Sequence, residues 1–161
     1  MSRKVGAPKR VILAALAAAA SILATSVGAA NAVPGYADFR PGAQSYRYDG
    51  EHGTFTGDAV YASQQPDGGN RLIWSLQLSP YVQGLIVGNT MACGAYVEGK
   101  TGYSDNHSAI PADYRWHSVV PNLQLDKQYK LVMSCAFTAQ NGHTTAPGHA
   151  DFQMVFTIHS R

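Results

Sequence analysis

The stretch LQLDKQYKLVMSCAF, residues 123–137, begins as a turn and continues as a run of strictly alternating side chains. One face of the run is apolar or aromatic: Tyr129, Leu131, Met133, Cys135 and Phe137. The other face is mixed: Lys130, Val132, Ser134 and Ala136. Alternation with a period of two residues is the pattern of a β-strand with one buried face. The stretch therefore predicts a β protein and places a cysteine on the buried side.

Strand-like runs of this kind recur along the chain. Six have the composition of strands: 53–63, 70–79, 84–97, 114–120, 128–139 and 150–160. Clusters rich in Gly, Pro and Asn separate them at 64–69, 121–127 and 141–148. Short strands between frequent turns predict an all-β fold, a single antiparallel β-sandwich of about six to seven strands. No part of the chain after the first 32 residues has a sustained helical period.

The region before these runs has a different composition. Residues 33–52 are rich in Gly, Pro and Tyr. We expect an irregular N-terminal segment there, with one edge strand from Gln44 to Tyr48. The sandwich domain then occupies residues 53–161, and no linker divides it.

The first 32 residues have the three parts of a secretory signal peptide. Basic residues within 3–10 precede an apolar run at 11–23, and Ala30-Asn31-Ala32 forms an A-x-A cleavage site. The apolar run is shorter than a membrane span requires. We therefore expect a secreted, extracellular protein that begins at Val33 and has no membrane anchor.

Removal of this leader changes the net charge. Four of the 12 Lys and Arg residues lie in the leader, so eight remain against 10 Asp and Glu, a net charge of −2. Binding to nucleic acid or to anionic membranes depends on clustered Lys and Arg. No such cluster remains, and the sequence argues against a nucleic-acid partner.

The two cysteines of an exported chain most simply pair with each other. Cys93 lies in GLIVGNTMACGAYVEG, residues 84–99, and shares a face with Val97, so both cysteines point inward from strands. No neighbouring Lys or His would lower the pKa of either thiol, which argues against the alternative of a reactive cysteine. We predict a Cys93–Cys135 disulfide that closes a loop of about 42 residues and stabilises the fold by roughly 4 kcal/mol.

The 123–137 stretch resembles the E–F turn and F strand of immunoglobulin-like and fibronectin-III-like domains. Leu123 and Tyr129 are six residues apart, as in the tyrosine corner of those domains. Trp74 in RLIWSLQLSP resembles their buried early-strand tryptophan. The resemblance implies a sandwich in which the Tyr129 hydroxyl bonds to backbone in the 121–127 turn. Neither tryptophan follows Cys93 at the antibody spacing, so a bridge within one sheet and a bridge across the sandwich both stay open.

Histidines are numerous, but none lies in a metal-binding motif. There are six: His52, His107, His117, His143, His149 and His159. The spacings H-x-H, H-E-x-x-H and C-x-x-C do not occur. His143, His149 and Asp151 lie close together in sequence, so a metal site formed by these three residues is the one alternative that stays open. We expect no cofactor.

No catalytic motif is present either. The sequence has no G-x-S-x-G elbow, and no pair of carboxylates is singled out by spacing. Asp105, His107 and Ser108 have the residue types of a triad, but a triad requires placement in three dimensions that neighbouring loop residues rarely supply. We expect a non-catalytic protein, with a small secreted hydrolase as the less favoured alternative.

Surface recognition is the function that remains. The longest internal loop, EGKTGYSDNHSAIPAD (98–113), offers the Tyr, Asn, Ser and His side chains that are common in binding loops. We predict a ligand-binding site at Lys100, Tyr103, Asn106 and His107, with Tyr103 as anchor, for a protein or cell-surface ligand. The alternative is an inhibitor of a secreted hydrolase that inserts this loop.

A second candidate surface is the N-terminal tyrosine segment, with Tyr36, Tyr46 and Tyr48. A flat row of solvent-facing aromatic residues would indicate a carbohydrate ligand.

The leader generates a direct test. N-terminal sequencing and intact-mass measurement of the protein from culture medium should give a chain that begins at Val33 and carries no lipid. Recovery of the uncleaved chain from the medium would contradict the assignment of 1–32 as a signal peptide.

Overall fold

The computed structural model of the protein describes residues 30–31, 35–40 and 45–160. Within these residues there are ten strands, one 3₁₀ helix and one α-helix. The strands are β1 (Ala30–Asn31), β2 (Gly35–Phe39), β3 (Ser45–Asp49), β4 (Gly53–Val60), β5 (Asn70–Leu78), β6 (Ile86–Glu98), β7 (Ser104–His107), β8 (Arg115–Leu123), β9 (Gln128–Asn141) and β10 (Thr144–Ile158). The 3₁₀ helix η1 spans Ala62–Gln64, and the α-helix α1 spans Pro80–Leu85.

The strands form two sheets. In the six-stranded sheet, β10, β9, β6 and β7 lie side by side in that order, and both β1 and β2 pair with the outer edge of β10. Since β1 lies within the predicted leader, a chain that begins at Val33 would lack it. The four-stranded sheet has the order β3–β4–β5–β8. All pairings are antiparallel except those of β1 and β2 with β10, which are parallel. The prediction of an all-β sandwich with one disulfide is confirmed, although the described residues contain more strands than the six to seven expected.

Inward-facing side chains from both sheets form one apolar cluster. The largest members that are almost fully buried are Trp74, Trp116, Phe39, Phe152 and Phe156. Because alternate residues of each strand point into this cluster, the intervening residues form two outer faces. Those outer faces present the candidate functional side chains.

The N-terminal segment is more regular than its composition suggests. Within 33–52, the structure places β2 and β3, and Phe39 of β2 has no exposed surface. The backbone N–H of His159 donates to the Phe39 carbonyl at 2.9 Å, which joins the end of β2 to the end of β10. Gly and Pro in this segment obscured the short alternation that buries Ala37 and Phe39. Of the predicted edge strand Gln44–Tyr48, residues 45–48 lie in β3 at one edge of the four-stranded sheet, and Gln44 lies outside the described residues.

Two predicted connections also contain strand. Residues 98–113 include β7, which pairs with β6 across Cys93–Tyr96. The predicted 141–148 turn is the tip of the β9–β10 hairpin, which turns at Gly142 with a φ of 59° and pairs again from Thr144. Polar composition suggested loops at both places, but edge strands and hairpin tips have equally polar sequences because they face solvent.

The disulfide joins neighbouring strands of the six-stranded sheet. Cys93 on β6 is directly opposite Cys135 on β9, with their Cα atoms 4.1 Å apart and their sulfur atoms 2.17 Å apart. Of the two arrangements that the sequence left open, the structure has the bridge within one sheet. Both cysteines are buried, so the bond lies on the core side.

The tyrosine corner is present as the resemblance implied. The backbone N–H of Gln124 donates to the Tyr129 hydroxyl oxygen at 3.0 Å. The Tyr129 ring is 4% exposed and stacks on Phe156 with a centroid distance of 5.5 Å. The residue therefore fixes the β8–β9 turn while it closes one end of the core.

Substitution of Tyr129 by Phe should keep the stacked ring and remove the acceptor for the Gln124 N–H. We expect the free energy of unfolding to fall by about 1 kcal/mol, the usual net contribution of one hydrogen bond. Urea denaturation measures the change, with Tyr81→Phe as a matched control on an exposed tyrosine. An unchanged midpoint for Tyr129→Phe would contradict a structural role for this hydroxyl.

Candidate functional site

The structure separates the four residues that the sequence predicted as a binding site. Asn106 is exposed on β7, whereas Tyr103 is half-buried and packs against the core cluster. His107 lies on the other face of β7 with its Nε2 atom 3.3 Å from a carboxylate oxygen of Asp105. Lys100 lies in the turn beyond β6. Its backbone N–H donates to the Val97 carbonyl. They do not form one surface.

Tyr103 has a structural partner. The indole Nε1 of the buried Trp74 donates to the Tyr103 hydroxyl oxygen at 3.0 Å. Burial raises the pKa of Tyr103, hydrogen bonds with Ser118 and Trp74 oppose this effect, and the nearby charge of Asp105 adds to it. The hydroxyl therefore stays neutral at physiological pH and serves as the acceptor for a buried N–H group. The predicted role of Tyr103 as an exposed anchor does not fit this position.

A more coherent set of side chains lies on the outer surface of the six-stranded sheet. Strand register places Gly94 of β6 between Asn106 of β7 and Ser134 of β9, and Ser134 is in turn opposite Asp151 of β10. His149 is two residues before Asp151 on the same face, and Tyr96 is two residues after Gly94. We call this set the six-stranded face and define it by Tyr96, Asn106, Ser134, His149 and Asp151.

The centre of the six-stranded face has small side chains. Ala92 and Gly94 on β6 lie directly opposite Ala136 and Ser134 on β9. A Cβ atom at Gly94 would come within 3.1 Å of the Asn106 Oδ1 atom. The Asn106 side chain therefore approaches the backbone closely at Gly94, and Tyr96, two residues further along β6, is 44% exposed.

His149, Asp151 and Ser134 are close together but do not have the geometry of a catalytic triad. The His149 Nε2 atom lies 2.9 Å from Asp151 Oδ1, and the same nitrogen lies 3.3 Å from Ser134 Oγ. A proton relay requires the carboxylate on one ring nitrogen and the hydroxyl on the other. Here both compete for one nitrogen on an exposed surface. This arrangement suits hydrogen bonding to a ligand and does not activate the serine.

His143, His149 and Asp151 do not come together as a set of metal ligands. His143 lies at the tip of the β9–β10 hairpin, six residues from His149 along an extended strand. In the part of the chain that the structure describes, no group of three or more His, Cys, Asp or Glu side chains is placed to hold a metal ion.

The same outer surface continues toward the other end of the sheet. Tyr36 of β2 is 56% exposed and lies opposite Val155 of β10. Val155 is followed across the sheet by Lys130 of β9 and Glu98 of β6, whose charged atoms are 2.7 Å apart. The surface thus has one exposed tyrosine on β2 and another on β6, and Lys130 of the ion pair lies on a strand between them.

The sequence contained part of the signal for this face. Residues of β9 that point away from the buried row, such as Ser134, follow from alternation alone. What alternation does not supply is which residues of β6, β7 and β10 lie beside them. The grouping of Ser134 with Asn106, His149 and Asp151 depends on long-range register, and sequence reasoning missed it.

Fold and site together define a small, disulfide-bonded, all-β protein with a polar and aromatic sheet surface. No protein-family model matches the chain, and no curated protein or solved structure matches it significantly. Among the described residues, no helix has both the length and the apolar character needed to cross a membrane.

The Trp74–Tyr103 contact can be tested by Tyr103→Phe. The variant should leave the buried Trp74 N–H without its acceptor and lower the free energy of unfolding by about 1–3 kcal/mol. Tyr96→Phe, on an exposed ring, should change it by less than about 0.5 kcal/mol. Equal denaturation midpoints for the two variants would show that the Tyr103 hydroxyl has no structural role.

Proposed function

We propose that the protein is a secreted, non-catalytic binding protein that recognises a glycan through the six-stranded face. The observation that carries this proposal is the register that brings Asn106, Ser134 and Asp151 into one row beside the exposed ring of Tyr96. The leader pattern and the disulfide support export.

The chemistry of the face favours a polyhydroxylated ligand. Sugar rings present hydroxyl groups at their edges, which pair with amide, carboxylate and imidazole groups such as those of Asn106, Asp151 and His149. Their C–H faces pack on aromatic rings, and tyrosine supplies such a surface with little loss of conformational entropy. Both kinds of group are exposed here on strands, which hold them more rigidly than a loop would.

The spacing of the two exposed tyrosines favours an extended ligand. Tyr36 and Tyr96 lie on strands three positions apart in the sheet. At about 4.8 Å per strand, this separates them by roughly 14 Å across the sheet. A chain of several sugar units would contact both rings, and the row of Asn106, Ser134 and Asp151 lies beside them along the strands.

The non-catalytic part of the proposal rests on the arrangement of the polar groups. His149 uses one nitrogen for both Ser134 and Asp151, so neither a nucleophile nor a general base is prepared. The face is also shallow and open to water, whereas catalytic sites exclude water to strengthen their electrostatic interactions.

We also infer that the fold is immunoglobulin-like or fibronectin-III-like. The order β10–β9–β6 in one sheet and the pairing of β5 with β8 in the other match the G–F–C and B–E neighbours of such domains. The hydrogen bond between Gln124 and Tyr129, at the connection that corresponds to E–F, adds support. Domains of this architecture serve many unrelated functions.

The proposed function is tested by glycan-array binding of the protein isolated from culture medium. Tyr96→Ala should weaken binding by tenfold or more, about 1.4 kcal/mol, since exposed aromatic residues dominate binding hot spots. Asn106→Ala should weaken it in the same direction. Both variants should retain the wild-type melting temperature because they leave the core unchanged.

Tyr81→Ala is the matched control for this experiment. Tyr81 is 59% exposed, lies on α1 outside the six-stranded face, and should be replaceable without loss of binding. Equal binding by wild type, Tyr96→Ala and Asn106→Ala would refute the face as the recognition surface. Failure to bind any glycan, together with retention of a protein from the producer's medium, would refute the glycan assignment.

A further inference from the structure

The positive charges of the protein are not equally neutralised. Four described basic side chains have a carboxylate partner: Arg40 with Asp38, Arg47 with Asp49, Arg71 with Asp67, and Lys130 with Glu98. Within the described ranges, the structure gives Lys100, Arg115 and Lys127 no such partner. Arg115 stands apart on β8, where its Nε atom donates to the Gln77 side chain at 3.0 Å.

Lys100 and Lys127 line the same cavity, which has a volume of about 180 Å³. It lies at the end of the sandwich where the turn after β6 meets the β8–β9 turn. Its other polar side chains are those of Thr101, Asn122, Gln124 and Tyr129. None of the cavity-lining residues is acidic, so two positive charges face a space lined by hydroxyl and amide groups.

Lys127 is held in position. Its Nζ atom donates to the Gly99 carbonyl at 2.8 Å and lies 5.1 Å from the centroid of the Tyr129 ring. An ammonium group has three donors, so two remain after the bond to Gly99. The cation–π contact and the hydrogen bond together reduce the entropy that a free lysine would lose on binding a ligand.

The acidic residues next to these lysines in sequence are engaged elsewhere. Glu98 pairs with Lys130 at 2.7 Å. Asp126 accepts from the Ser160 backbone N–H at 3.1 Å and contacts the His159 ring at 3.1 Å. Hydrogen bonds from Ser160, with a further contribution from His159, lower the pKa of Asp126. Its carboxylate therefore stays committed to the C-terminal residues and away from the cavity.

We propose that this lysine cavity, defined by Lys100, Thr101, Asn122, Gln124 and Lys127, binds a tetrahedral oxyanion, phosphate or sulfate. Two ammonium charges balance the two negative charges of sulfate and the roughly 1.5 negative charges of phosphate near pH 7. Lysine serves as a point-charge donor to phosphate, and the hydroxyl and amide groups supply further donors for its oxygens. The inference goes beyond the proposed glycan recognition and rests on different residues.

Isothermal titration of the wild-type protein with sodium phosphate, sodium sulfate and sodium acetate, at constant ionic strength, tests this site. Phosphate and sulfate should bind at one site, and acetate should bind more weakly because it offers fewer oxygens and one charge. Lys100→Gln should weaken phosphate binding about tenfold, as expected for loss of one charge-assisted contact. Affinity should fall as salt is added, since the cavity is open to solvent.

Arg115→Gln is the matched control, because it removes an equally unpaired charge outside the cavity and should leave phosphate binding unchanged. Lys127→Gln should weaken binding and also lower the melting temperature, whereas Lys100→Gln should change only binding. Tyr96→Ala should bind phosphate like the wild type, which separates this site from the six-stranded face. The proposal is overturned if neither anion binds, if acetate binds as tightly as phosphate, or if Arg115→Gln weakens binding as much as Lys100→Gln.

Discussion

The alignment of β6 with β9 is the constraint on which the rest of the six-stranded sheet depends, and the Cys93–Cys135 bond fixes it covalently. A slip of one residue would turn every side chain of a strand to the opposite face. With the two cysteines directly opposite each other, Gly94 and Ser134 must both face outward. The disulfide therefore stabilises the core on one side of the sheet and positions the polar groups on the other.

The buried position of the two cysteines is consistent with a purely structural role for their disulfide. The sulfur atoms occupy inward positions in rows of apolar residues, where neither is accessible to a redox partner. Bridging them restricts the unfolded chain and, in the folded state, prevents β6 from sliding along β9. The proposed recognition surface is made from side chains of adjacent strands, so its groups would lose little freedom when a ligand binds.

The local sequence predicted the features that depend on residues close together in the chain. The features that depend on the pairing of distant strands could not be predicted from it. Alternation in 123–137 and the spacing of Leu123 and Tyr129 were sufficient for a buried strand and a tyrosine corner, and the presence of two cysteines in a chain expected to be exported was sufficient for the disulfide. The role of Tyr103 could not be read in this way, because its partner Trp74 is 29 residues away. The six-stranded face could not be predicted from the sequence for the same reason, because Asn106 becomes a neighbour of Gly94 only when β7 folds back on β6.

The position of Tyr36 shows how far this dependence extends. Tyr36 faces outward because β2 adds in parallel to β10 and buries Phe39, and the end of β2 is tied down through groups that are distant in sequence. The His159 backbone N–H bonds to Phe39, while the His159 ring contacts both Asp38 and Asp126. One histidine thus links β2, the β8–β9 turn and the end of β10. A tyrosine in a Gly/Pro-rich segment becomes a fixed part of the six-stranded sheet's surface only because the last residues of the domain hold its strand in place.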